Sequence, residues 1–197
     1  MPLHVPPAPA PALRSVLAAL GSPTAVREAR TPALRSAQGP LSPELPLPVH
    51  VLDGIGPGGI APATRLTAWR FVIRDAERAV AAADTVLTPD GWAFSHFFEG
   101  PYIPATELAL RQAETAAPRY QPRLLSIPEL YMLALWLHAD AEADASEGSL
   151  APADLLVPLA PAPPGIAAHR AHRVADLLRV LTSRIAPGPG PLLGSSA

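Results

Sequence analysis

Between Leu66 and Asp75 the side chains alternate in character, with Trp69, Phe71 and Ile73 on one parity and Arg70, Val72 and Arg74 on the other. A period of two marks a strand with one buried face. Val49 to Asp53 predicts a shorter strand before it. Ala79 to Thr88 carries mixed signals: its alanines favour a helix, whereas Asp84-Thr85-Val86 and the turn that follows favour a strand, and the balance falls on the strand. Thr88-Pro89-Asp90-Gly91 has proline and glycine at the second and fourth positions of a type I turn and leads into a strand from Trp92 to Phe98. Gly100-Pro101 stops that strand, and Pro104 opens a helix that reaches Ala116, before Ala117-Pro118. Arg123 to His138 reads as one long strand interrupted at Pro128, where a bulge or an edge position is expected because proline cannot donate to the ladder. Leu155 to Leu159 is a last strand. From Ala167 to Ile185 the residues Val174, Leu177, Leu178, Leu181 and Ile185 form the apolar stripe of an amphipathic helix.

These elements predict an α+β fold: a mainly antiparallel sheet of about five to six strands, covered on one face by the 104–116 helix, with the 167–185 helix docked on it or swung out. Strands do not alternate regularly with helices, so a doubly wound fold is disfavoured.

Proline places the boundaries. Eleven of the 27 prolines precede position 49 and eight follow Ser149, which bounds a core domain at 48–160. Residues 1–47 are then a Pro-rich, mostly flexible arm with one short helix, Pro11 to Leu20, that Gly21 ends. Residues 161–186 are a linker and the C-terminal helix, and 187–197 a flexible tail. Pro-Ala-Leu-Arg-Ser occurs at Pro11–Ser15 and again at Pro32–Ser36. In a segment of such biased composition the repeat reads as coincidence rather than as a duplicated docking motif.

Composition removes whole classes of chemistry. The 197-residue chain is 49% hydrophobic, enough for a real core. It contains no cysteine, lysine or asparagine. Thiolate nucleophiles, disulfides and Cys-ligated metals are excluded, as are Schiff-base and Walker-A lysines and N-glycosylation. All 15 basic residues are arginine, and the net charge of −2 lacks the basic excess of a nucleic-acid-binding domain. The N-terminus has no basic run ahead of an apolar one. The longest apolar run, Leu130 to Leu137, is less than half of a bilayer span. The reading is a cytoplasmic protein with no nucleic acid and no membrane among its partners.

Among candidate sites, Gly54-Ile55-Gly56-Pro57-Gly58-Gly59 matches G-x-G-x-x-G after a strand, but Pro57 removes an amide and no helix follows, so a plain glycine loop and no cofactor are expected. Asp140, Glu142 and Asp144 alternate like calcium ligands. Ala145 and Ala151 stand where that loop needs glycine and glutamate, so a solvated connection is expected. His169 and His172 lack a third ligand among neighbouring arginines, and no metal is expected. Arg170, Arg173, Arg179 and Arg184 could meet an acidic partner. His96 shares a predicted strand face with Trp92, Phe94 and Phe98, with Glu99 at the strand end as a potential acid/base partner. Ser95, on the opposite face, pairs poorly with His96. Tyr131, Trp136 and His138 lie on the most apolar strand, where a pocket shared with the 92–98 strand would draw His138 toward His96.

No catalytic set is assembled in this pattern. The leading expectation is a non-catalytic accessory or protein-interaction module whose partner is another protein, bound through a sheet or groove or through the Pro-rich arm. The alternative is a small cofactor-independent enzyme using His96 and Glu99, with Arg70 or Arg74, and with Tyr131 and His138, around an anionic substrate.

Overall fold

The computed structural model describes residues 3–54, 62–115 and 119–185. One mixed, mostly antiparallel sheet of eight strands organises the α+β fold. The strands are β1 (Leu41–Leu52), β2 (Thr64–Asp75), β3 (Arg78–Thr88), β4 (Gly91–Phe98), β5 (Gln121–Ile127), β6 (Met132–His138), β7 (Leu155–Pro158) and β8 (His172–Arg173). Their spatial order is β4-β3-β2-β1-β5-β6-β7-β8. Among the described strands, only β1 and β5 pair in parallel; the helix α4 (Tyr102–Ala113) lies on the connection between β4 and β5.

Alternation along the strands decides which helix covers which face. Leu47, Val49, Leu124, Leu133, Leu135 and Leu137 pack with Ala105, Ala109, Leu110 and Ala113 of α4. The residues of opposite parity, Leu125, Ala134 and Trp136, pack with Val174, Leu177, Leu178 and Leu181 of the C-terminal helix α5 (Val174–Ile185). At the other end of that second face, Trp69, Phe71, Ile73, Ala81 and Ala83 pack with Ala12, Val16 and Leu34 of α1 (Ala10–Leu20) and α3 (Pro32–Ser36), which flank the short α2 (Pro23–Glu28). The sheet therefore has α4 on one side, and α1–α3 and α5 on the two halves of the other.

Several expectations are corrected. The segment 1–47 is not a mostly flexible arm in its described part: α1 covers the predicted Pro11 to Leu20, but Ala12 and Val16 are fully buried against β2–β4, and β1 starts at Leu41, crossing the expected boundary at 48. The sheet has eight strands rather than five or six. One reason is that Arg123–His138 is a hairpin and not one interrupted strand. Pro128 opens a single 3-10 turn, Tyr131 takes the left-handed conformation at φ 49°, and the chain reverses so that Ile127 pairs with Met132. Proline's fixed φ suits the first corner of a turn as well as it suits a strand edge. The 167–185 helix begins only at Val174, because His172–Arg173 extends the sheet along β7 and Gly165 and His169 have positive φ. The strand reading of 79–88 holds: Ala81, Ala82 and Ala83 are fully buried between helices on both faces, where small side chains let those helices approach and tertiary packing overrides helix propensity.

Candidate functional site

Where α1–α3 and α5 leave the middle of the second face uncovered by helix, the acidic loop between β6 and β7 closes it. The polar residues beneath the loop bond one another and the loop backbone. Gln121 and Arg123 of β5 lie directly opposite His138 and Trp136 of β6. Arg123 is wholly buried, with its guanidinium 4.8 Å from the Trp136 ring centroid. It donates to Gln121 Oε1 at 2.7 Å, to the Asp144 carbonyl at 2.9 Å and to the Glu147 carbonyl. Burial lowers its pKa, and the carboxylates of Asp154, Glu147, Asp144 and Asp140 offset part of that effect. Asp154, also wholly buried, accepts from Trp136 Nε1, His138 Nδ1 and the amides of Ala139 and Ala151. Burial alone would raise its pKa, but these four donors hold it below the usual carboxylate range. His50 stands edge-on to Trp136 at 5.2 Å and bonds the Ala145 carbonyl at 3.0 Å through Nε2. Desolvation pushes its pKa down to about 4, so it is neutral and Nε2 carries the proton. This network pins the loop to the sheet.

Beside that pinned loop lies an open cleft of about 540 Å³, bounded across from the loop by the N-terminal Pro6, Pro7 and Pro9. Leu66, Trp69, Leu87 and Trp92 line it from β2–β4, and Glu142 and Asp144 from the loop. The N-terminal segment is latched at one end. His4 donates its amide to the Tyr120 carbonyl at 2.8 Å, and its Nδ1 accepts from Arg119 Nη2 at 2.7 Å. Arg119 in turn pairs with Glu142 at 3.4 Å. Leu87 is 59% exposed, an apolar side chain without cover, and the buried indole N–H of Trp69 has no acceptor among the described residues. Asp144 accepts from the amide and hydroxyl of Ser146, which lowers its pKa. It forms no ion pair among the described residues.

A second cleft, of about 440 Å³, opens on the α4 face and brings Arg70 and Tyr131 together, with Asp84, Phe98 and Tyr102. Arg70 makes two 2.8 Å bonds to Asp84 and lies 4.5 Å from the Phe98 ring centroid. Its charge is already matched. Tyr131 is 92% exposed and sits on the turn rather than on a strand. Arg74 is not in this cleft; it is held by Glu44 at 3.1 Å and by Glu107.

The acid/base pair is not brought together. A bulge between Asp84 and Thr85 leaves Ser95 without a cross-strand partner, so alternation breaks inside β4. Trp92 and Phe94 join Phe97 on the α1 side, while His96 remains with Phe98 on the other, their rings 5.5 Å apart. The same bulge lets Ser95 Oγ reach His96 Nδ1 at 3.0 Å, contrary to the expected separation, although both residues are exposed at the sheet edge. The Glu99 carboxylate accepts from the amides of Ala33 at 2.7 Å and Leu34 at 3.4 Å, and so caps α3. Four strands separate β4 from β6, which puts His96 and His138 about 24 Å apart across the sheet.

Arg170 and Arg173 precede α5 and only Arg179 and Arg184 lie on it, so the four do not form one helical face. All four are exposed, and Arg179 pairs with Asp176 at 3.5 Å. Of the glycine loop, Gly54 has φ 71° and residues 55–59 lie outside the described residues. No group of three or more His, Asp or Glu side chains suited to a metal occurs among the described residues, and no helix there is long and apolar enough to cross a membrane.

Sequence reasoning passed over His50, Arg123 and Asp154. A lone polar residue inside an apolar run, as in Val49-His50-Val51 or Pro122-Arg123-Leu124-Leu125, was the available signal, since such a residue on a buried strand must be paired internally. The proline–tryptophan cleft had no comparable signal, because its walls come from segments more than 130 residues apart in sequence. Compared with protein-family models, curated proteins and solved structures, the chain matches none of them.

Proposed function

We propose that the protein is a non-catalytic interaction module that holds an extended segment of another protein in the cleft between its N-terminal proline run and the acidic loop. The observation that carries this reading is the open apolar lining of Trp92, Leu66 and Leu87, backed by buried Trp69, with Leu87 left 59% exposed. Aromatic side chains supply large, rigid contact area at low entropic cost and anchor many peptide-binding grooves. The pinned loop gives the cleft one firm wall, which spares binding the cost of ordering it. The acid/base reading has a cleft of about 440 Å³ lined by Ser95 and His96, but Glu99 is occupied as a helix cap and Arg70 is neutralised by Asp84.

Selection of displayed random peptides on the full chain tests the proposal. Leu87→Asp changes an exposed side chain and leaves the core intact. Clones that bind the parent chain and lose binding to Leu87→Asp are expected. Clones that bind both equally, or no selectable clone, would overturn it.

A further inference from the structure

The two walls of the cleft differ in chemistry. One presents indole rings, whose faces carry negative quadrupole potential. The other presents Asp144, with no cationic partner among the described residues, and Glu142, shared with Arg119 at 3.4 Å and facing His4 at 4.0 Å. A guanidinium or ammonium group satisfies the rings and the carboxylates together.

We infer that the segment bound in this cleft carries an arginine or lysine side chain placed between Trp92 and the Asp144 and Glu142 carboxylates. The inference rests on the interaction reading and specifies its partner: a basic residue flanked by apolar ones that cover Leu66 and Leu87. Acidic segments are rejected by the same carboxylates. Buried Arg123 acts on Asp144 only through space: its N–H groups go to loop carbonyls and to Gln121, and no ion pair joins it to the Asp144 carboxylate among the described residues. Arg119 is the competitor for Glu142, so Asp144 is the principal contact.

A positional-scanning library of blocked hexapeptides, titrated against the full chain and against Asp144→Asn and Glu142→Gln, tests this. Both residues are exposed, and asparagine keeps the oxygen that Ser146 uses. The expected result is selection of Arg or Lys at one position and of apolar residues beside it. The Asp144→Asn variant should bind the best basic peptide about tenfold more weakly, and 0.5 M salt should weaken parental binding similarly. Tight binding of hexapeptides without any basic preference, or a basic preference unchanged in Asp144→Asn, overturns the cation inference and leaves the interaction module standing. Absence of binding by any hexapeptide overturns both.

Discussion

The indole N–H of Trp136 donates to Asp154 Oδ2 at 2.7 Å, and neither residue has any exposed surface. Asp154 sits in the loop before β7 and Trp136 in the middle of β6, so this single bond ties the end of the acidic loop to the centre of the sheet. With His138 and two loop amides on the same carboxylate, Asp154 is the anchor of the wall that the cleft depends on.

Replacing Asp154 with asparagine puts an amide NH₂ among four donors and removes the charge that balances Arg123. Loss of one partner from a buried charged network costs about 3–5 kcal/mol. Urea unfolding of Asp154→Asn should show a fall in stability of about 3 kcal/mol or more, with the slope against urea unchanged.

His50 makes stability depend on pH. Its folded pKa of about 4 lies below the ordinary 6.5, so between these values the unfolded chain binds a proton that the folded chain does not. Stability is then full above pH 6.5 and falls as the pH drops toward 4, by about 3 kcal/mol. His50→Gln retains a donor for the Ala145 carbonyl and should flatten this part of a stability–pH profile. Asp154, whose pKa is depressed, adds a separate loss that begins as the pH falls through the ordinary carboxylate range and completes below it.

Arg123→Met should free the loop while filling much of the same space. The carbonyls of Asp144 and Glu147 lose their donors. Amide hydrogen exchange across 141–148 should accelerate by at least about tenfold relative to exchange in β2 and β3. Equal acceleration throughout the chain would instead signal global destabilisation.

Glu99→Ala should cost about 1 kcal/mol, the ordinary value of a lost helix cap, because α3 loses its acceptor for the Ala33 and Leu34 amides. Binding to the cleft should not change in this variant.

The fold was legible wherever one local pattern dominated. Trp69–Phe71–Ile73 declared β2, Val174–Leu177–Leu178–Leu181 declared the buried face of α5, and Pro11 and Gly21 marked the ends of α1, whose buried face is Ala12, Val16 and Ala19. Features set by two distant segments were not. Pro128 is compatible with both an edge strand and a turn, and only the pairing of Ile127 with Met132 decides between them. The proline content of residues 1–47 suggested an arm, but Pro11, Pro23 and Pro32 each stand at a helix start, where proline is accommodated. The bulge at Ser95 has no sequence marker, and it alone separated His96 from Trp92 and Phe94. The cleft escaped notice for the same reason as the bulge: it exists only where Pro6, Trp92 and Asp144 converge.

The chain has three tryptophans, and their indole N–H resonances divide the structure cleanly: Trp69 and Trp92 line the cleft, while Trp136 is bonded to Asp154 beneath the loop. Proton–nitrogen correlation spectra recorded while a selected peptide is titrated into the full chain test the binding site directly. Shifts of the Trp69 and Trp92 indole signals with a stationary Trp136 signal are the predicted result. A bound peptide that leaves Trp69 and Trp92 unmoved, or that shifts only residues of the Arg70–Tyr131 cleft, would contradict the account.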